Sequence, residues 1–382
     1  MRRCGANSHV YALTNKSVKA AVLYFEIIEL ILLRGAFQMK KKIGLLLAVS
    51  AMLISVVGCG NNNNKSSGSG DGGSAAEKDS YKIAVSQIVE HPSLDATREG
   101  FLAALKDAGI IEKENLTLDY NNAQGDQNNN NTIAQKIAGE KYDLVLAIAT
   151  PTAQAIVQNV KDSPILFAAV TDPIDAKLID NLDKPGGNIS GASDTNPEAI
   201  SKLMDFLAEN VKDVKNVGIV LNQGEPNAVI MADYAEKALE KHGIKLVKAS
   251  VTNTSEVKQA AESLVGRVDA IYITLDNTVV EAVSTIIQVA NENDLPFFSS
   301  DRDSVEKGAF ATVGFKYYDH GYQVGQMAVE VLKNGKKVGD MKVTVPEKLD
   351  LILNLKAAAE QGIEVTDAMK DQVNDKENNI LE

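Results

Sequence analysis

The chain has no tryptophan, and aromatic residues make up only 5% of it. Two cysteines, Cys4 and Cys59, sit far from most of the sequence and cannot form a disulfide framework within it. The four histidines, His9, His91, His242 and His320, are scattered, and no two have metal-ligand spacing. No G-x-G-x-x-G follows a strand, and there is no Walker A loop or G-x-S-x-G elbow. Gly68 to Gly73 is glycine-rich but lies in a polar low-complexity stretch. Nothing pairs a nucleophile with a base. The expectation is a protein that is not an enzyme and needs no cofactor and no metal. Positive charge is also scarce: 39 Lys+Arg stand against 51 Asp+Glu, a net of −12. Eight of those basic and two of those acidic residues precede Cys59, so the remainder carries 31 against 49. That balance excludes a nucleic-acid partner and gives no basic patch for anionic lipid.

What is present begins at Met39. Lys40, Lys41 and Lys42 form a basic start, and Ile43 to Val57 form a short apolar run. Val56-Val57-Gly58-Cys59 resembles a lipobox, in which the cysteine thiol is acylated and becomes the new N-terminus. The run is too short and too one-sided in charge for a stop-transfer helix. The expectation is a lipoprotein signal peptide over 39–58 and a lipid anchor on Cys59 at the outer face of the cell membrane. Residues 1–38 precede the basic start and do not fit a targeting segment, so translation is expected to begin at Met39. Residues 59–80 are rich in Asn, Gly and Ser and read as a disordered tether. Twenty such residues reach on the order of 25 Å.

From Tyr81 onward the chain alternates short β-rich runs with amphipathic helical runs. Strands are predicted at 82–87, 116–121, 144–149, 165–170, 217–221, 245–250, 270–274 and 297–299. Helices are predicted at 93–108, 126–139, 151–160, 198–210, 226–242, 255–264 and 278–291. Leu144 to Ile148 is apolar at every position, as in a parallel strand covered on both faces. Such alternation predicts an α/β fold of two similar Rossmann-like parallel-sheet lobes with right-handed crossovers. About 300 residues exceed the size at which one core stops growing. The rhythm breaks at Lys184-Pro185-Gly186-Gly187-Asn188 and restarts at Asn196-Pro197-Glu198. A strand at 309–315, a long helix at 317–332 and a late strand at 348–353 then suit a chain that recrosses between lobes. The boundaries predicted are 81–193 plus 309–340 for the first lobe and 194–308 plus 341–366 for the second. Residues 367–382 read as a polar tail, frayed or a surface helix.

Five prolines follow a polar residue where a helix or loop should leave a strand or lobe boundary: His91-Pro92, Thr150-Pro151, Asp172-Pro173, Asn196-Pro197 and Glu225-Pro226. Proline is favoured at the first helical position, and the residue before it can cap. In open parallel sheets, ligands bind beyond the carboxyl ends of the strands, where helix N-termini also receive anions. Candidate ligand residues are therefore His91, Leu94, Thr150, Thr152, Thr171, Asp172, Asn227, Asp276, Asn277 and Asp301. Thr150 and Thr152 suit a carboxylate, and Asp276 or Asp301 an ammonium group. For Asp276 an N-cap role competes with that reading.

His91-Pro92-Ser93-Leu94-Asp95 with Arg98-Glu99-Gly100-Phe101, Val170-Thr171-Asp172-Pro173, Glu225-Pro226-Asn227, Asp276-Asn277-Thr278 and Val313-Gly314-Phe315-Lys316-Tyr317-Tyr318 resemble one family in their order and spacing. It is the ABC transporter substrate-binding proteins similar to the tryptophan/tyrosine-binding lipoproteins. The resemblance spans roughly Tyr81 to Ile363. It implies a type I periplasmic-binding-protein architecture with three crossovers, a small-molecule ligand in the cleft, and delivery to an ABC permease with its ATPase subunits. On matching positions it places a ligand carboxylate on Thr150, Thr152 and Thr171, and an amine on Asp276 or Asp301. Leu94, Ile88 and Tyr317 are implied walls for an apolar side chain. The expected ligand is an amino acid, with an aromatic one favoured by the family and disfavoured by the few aromatics near the cleft. The expected body is a monomer that closes about a hinge near 193–197 and 308–312. A sensor that presents the closed form to a membrane kinase shares this fold and is the alternative.

Overall fold

The structure is a computed structural model, and it describes residues 80–346 and 348–382. The segments read above as an N-terminal extension, a signal peptide and a tether, and Cys59 itself, lie outside the described residues.

Five strands open the chain: β1 (Tyr81–Gln87), β2 (Leu116–Asn122), β3 (Leu144–Ile148), β4 (Ile165–Val170) and β5 (Ile189–Ser193). They form one parallel sheet in the order β2-β1-β3-β4-β5. Every residue of β3 and β4 is buried, as an apolar run without alternation requires when helices cover both faces. Alternation within the strands sorts the two layers. Ile83, Val85, Leu144, Leu146 and Ile148 face one side with Phe101 and Leu105 of α1 (Pro92–Asp107). Ala84, Val145, Ala147 and Phe167 face the other, against α2 (Gln127–Ala138) and α3 (Thr150–Asn159).

The pattern then repeats. After α4 (Pro197–Asn210) come β6 (Asn216–Asn222), α5 (Pro226–Glu240), β7 (Lys245–Val251), α6 (Val257–Glu262), β8 (Ala270–Ile273), α7 (Asn277–Glu281), α8 (Val283–Glu292), β9 (Phe297–Ser299), α9 (Arg302–Lys307) and β10 (Ala311–Gly314). The second sheet runs β12-β11-β10-β9-β8-β6-β7, with β11 (Asp350–Asn354) antiparallel to β10 and β12 (Ile380–Leu381) at its edge. Its run β7-β6-β8-β9-β10 has the same topological order as the first sheet. The two lobes are thus built alike. The helix predicted at 278–291 is split at Ala282 into α7 and α8.

Three features depart from the sequence expectations. First, β5 was not predicted, because Ile-Ser-Gly-Ala-Ser has no apolar run. Second, the lobe boundaries at 309 and 341 move. β10 pairs with β9 and β11 in the second sheet, so the chain recrosses at Phe315–Lys316 rather than near 308–312. The helix α10 (Tyr317–Leu332) then packs on α1 in the first lobe. Thr344 bridges Ala192, and the Ser190 hydroxyl donates to the Met341 carbonyl at 2.7 Å, so residues 341–344 also join the first lobe. Third, residues 367–382 are helical, one of the two forms expected for them, and also add an edge strand. They contain α12 (Asp367–Lys370), α13 (Lys376–Asn379) and β12, after α11 (Leu355–Glu360). The Asp350 carboxylate accepts from Asn374 N, Asp375 N and Asn379 Nδ2, and Arg302 donates to the Asn379 side chain and the Asn378 carbonyl. These polar long-range contacts leave no local hydrophobic pattern.

Helices α1 and α10 approach closely because their contact is lined by glycine. A Cβ on Gly321 would overlap the Thr97 carbonyl oxygen, and one on Gly100 would overlap that of Tyr318. A Cβ on Gly325 would lie 2.6 Å from the Ala104 Cβ. The first turns of both helices are thereby held at the same place, the cleft between the lobes.

Candidate functional site

The strand ends of both sheets meet at one small pocket enclosing about 300 Å3 free of protein atoms. The first lobe supplies His91, Ser93 and Leu94 from the start of α1, Ala169 and Thr171 from the end of β4, and Tyr317 from α10. The second supplies Asn227 from α5, Leu275, Asn277 and Val280 around the β8–α7 junction, and Asp301 after β9. Asp194, on the first crossover, completes the wall.

The lobes touch across it. His91 Nε2 lies 3.5 Å from Asn277 Oδ1, and the Ser93 hydroxyl donates to Asp301 Oδ1 at 3.2 Å. Burial lowers the His91 pKa, against the opposing pull of Asp301, Asn277, Asp95 and Glu225. The Tyr317 hydroxyl donates to Asp194 Oδ2 at 3.1 Å. Burial raises the Asp194 carboxyl to about 6, although Tyr317 and Thr195 donate to it. Two polar atoms of the pocket residues are buried with no partner, His91 Nδ1 and Asn227 Oδ1. Buried polar atoms left open at a cleft are where a ligand's donors fit.

Six of the ten candidate residues line this pocket: His91, Leu94, Thr171, Asn227, Asn277 and Asp301. The other four are buried or turned to structural work. Thr150 Oγ1 accepts the Thr171 N–H at 3.2 Å, so it shapes the wall from behind. Thr152 is fully buried, and its hydroxyl has no partner. Asp172 Oδ1 accepts from Ile174 N and Asp175 N in a turn. Asp276 caps α7 through Val279 N at 3.1 Å and holds Asn222 N at 2.6 Å. Burial, then the neighbouring Glu225 charge, pushes its pKa well above the usual carboxylate range. Asp301 is also a cap: besides Ser93 it accepts from Ser304 N, Ser304 Oγ and Ser299 Oγ. Of the implied walls, Leu94 and Tyr317 line the pocket and Ile88 does not.

The sequence reading missed Ser93, Ala169, Asp194, Leu275, Val280 and the role of Glu225. Ser93 and Glu225 stood inside segments already singled out. Nothing local marks Ala169. The Glu225 carboxylate is the organiser of the second lobe's wall. Its Oε2 accepts from Asn277 N at 3.0 Å, Asn277 Nδ2 at 2.6 Å and Asn227 Nδ2 at 3.1 Å. Its Oε1 accepts from Thr278 N at 2.9 Å and Thr278 Oγ1 at 2.8 Å.

Two lobes of one topology, joined by three crossovers and meeting at a cleft between strand ends, define the type I periplasmic-binding-protein class. The chain belongs to the ABC transporter substrate binding protein family, whose profile matches residues 82–376. It is 38% identical over 315 residues to a tyrosine-binding protein of Clostridioides difficile (strain R20291), covering 82% of this chain and 90% of that one. Among solved structures, it is similar to a conserved domain protein from Vibrio cholerae, at 41% identity and a TM-score of 0.74, covering 78% of this chain and 99% of that one. A Streptococcus pneumoniae ABC domain in complex with L-Trp follows at 32% identity and a TM-score of 0.73, covering 77% and 99%. A ligand-free, open Clostridium difficile substrate-binding protein with adhesive properties has 38% identity but a TM-score of only 0.58, covering 79% and 98%. The L-Trp-bound relative is therefore the less similar of these two in sequence and the more similar in shape. The family is one of binding proteins rather than enzymes.

Proposed function

We propose that this protein is the extracytoplasmic receptor of an ABC importer, anchored by a lipid on Cys59, that captures an amino acid, most favourably an aromatic one. The observation that carries this reading is the composition of the closed pocket. Leu94, Leu275, Val280 and Tyr317 give it apolar walls, while His91 Nδ1 and Asn227 Oδ1 are buried acceptors without a donor. Asp194 and Asp301 add negative charge for an ammonium group, and Thr171 faces them from the first lobe. Asp276 is removed from that role by its two backbone bonds. Thr150 acts through Thr171 instead of on the ligand. The tyrosine- and L-Trp-binding relatives point the same way.

Ligand bridging both lobes would favour closure by the contacts made only in the closed form. The permease and its ATPase would then take the closed receptor as their partner. The lobe assignment that serves this is 81–193 with 315–346, against 194–314 with 348–382. Isothermal titration of the protein with L-Trp, L-Tyr, L-Phe and aliphatic amino acids tests it, alongside mass spectrometry of any ligand that co-purifies. Saturable binding of an aromatic amino acid, with compaction in solution scattering, is expected. Binding of a sugar or nucleoside in place of any amino acid overturns the ligand reading.

A further inference from the structure

Ala169 sits in the pocket wall with φ at 53°, a left-handed conformation that a residue with a Cβ adopts only under constraint. The pairing of β4 with β5 loses register between Phe167 and Val170, so the sheet itself does not hold this kink. Across from it, Gly191 lets β5 close in: a Cβ there would lie 2.7 Å from the Phe167 ring. What takes the Ala169 N–H is a side chain far along the sequence. His320 Nε2 accepts it at 3.0 Å, and His320 is 5% exposed.

We propose that His320 is a positioning residue of the ligand pocket, fixing the left-handed turn that presents Ala169 and Thr171 to the ligand. This rests on the pocket being the ligand site. For Nε2 to accept, the ring must be neutral with its proton on Nδ1. Burial, among the rings of Phe315 at 5.6 Å and Tyr317 at 6.1 Å, holds its pKa down at about 4. His320 lies one helical turn after Tyr317 on α10. The first turn of α10 therefore reaches the pocket twice, directly through the Tyr317 ring and indirectly through the backbone of Ala169. Without the imidazole acceptor, a buried N–H loses its partner and the kink loses its restraint. The end of β4 then relaxes toward extended backbone, which rotates Ala169 and Thr171 out of place.

The test uses the full-length chain and titration with L-Trp and L-Tyr. His320→Ala is expected to weaken binding roughly tenfold, as for a lost hydrogen bond that holds a binding wall. Adding Ala169→Gly to it should restore most of that loss, because glycine holds a positive φ without side-chain strain. A His320→Ala protein that melts lower yet binds as the parent does, or a double variant no better than the single, overturns the proposal. If His320→Ala does not fold, the unaltered chain still decides. Nitrogen-15 NMR of His320 near neutral pH should show Nδ1 protonated and Nε2 bare; a protonated Nε2 overturns the proposal. That spectrum needs no ligand. If no amino acid binds the parent protein while Nε2 is bare, the ligand reading fails and the restraint on Ala169 stands.

Discussion

Replacing Glu225 with glutamine keeps the size and shape of the side chain and exchanges one carboxylate oxygen for an NH2 group. The Glu225 carboxylate now accepts five hydrogen bonds, and two come from the rigid backbone N–H groups of Asn277 and Thr278. The less damaging orientation of glutamine puts its NH2 where Oε1 was. Thr278 can turn its hydroxyl, but its N–H then points at a donor and is left unpaired in a buried site. One orphaned buried N–H costs about 1–3 kcal/mol, and the remaining bonds lose the strength that the negative charge gave them. The expected total is about 3 kcal/mol, roughly a hundredfold in an equilibrium constant. Urea denaturation should show that loss as a lower midpoint at an unchanged slope. Amino-acid affinity should fall as well, because Asn277, which meets His91 across the cleft, takes its position from this carboxylate. A Glu225→Gln protein within about 0.5 kcal/mol of the parent would refute the reasoning, since only an exposed or redundant carboxylate behaves so.

Gly321→Ala should destabilise the protein by about 1–3 kcal/mol and weaken ligand binding, because the new Cβ meets the Thr97 carbonyl and forces α10 from α1; thermal melting and titration read it. Asp194, raised to about 6 by burial, makes a pH-dependent contribution. Its folded pKa exceeds its unfolded value, so the stability it contributes is present in full below pH ~4 and is lost as pH rises through ~6. Stability measured by urea should therefore rise by about 1 kcal/mol from this group between pH 7.5 and pH 5. Asp194→Asn should remove that part, leaving the similar contribution of Asp303, which burial and then Asp301 raise to about 6. His320 acts with the opposite sign: its depressed pKa gives stability that is present above ~6.5 and lost as pH falls through ~4, so His320→Gln should flatten the acid limb of the same curve.

The fold was legible because it is written in local patterns. The all-apolar run Leu144–Ile148, proline after a capping residue at Asn196-Pro197, and the strand–helix rhythm each state their element without reference to anything distant. Most of the pocket was legible for a related reason. A parallel sheet puts its strand ends on one edge, so the residues after β8 and β9 and at the start of α1 had to converge. Sequence alone thus determined the two-lobed α/β class, the family, and seven of the pocket's residues, Tyr317 among them through the family resemblance. Tertiary structure decided what each of those residues is free to do. Asp276 and Asp301 look alike in sequence, but one is shut into a cap while the other also meets Ser93 from the opposite lobe. Glu225 and His320 act on the pocket through bonds to residues 52 and 151 positions away, and no local pattern encodes such a distance. The course of the last segment, from β10 across to α10 and back to β11 and β12, depended likewise on pairing and polar contacts that exist only once both lobes are formed.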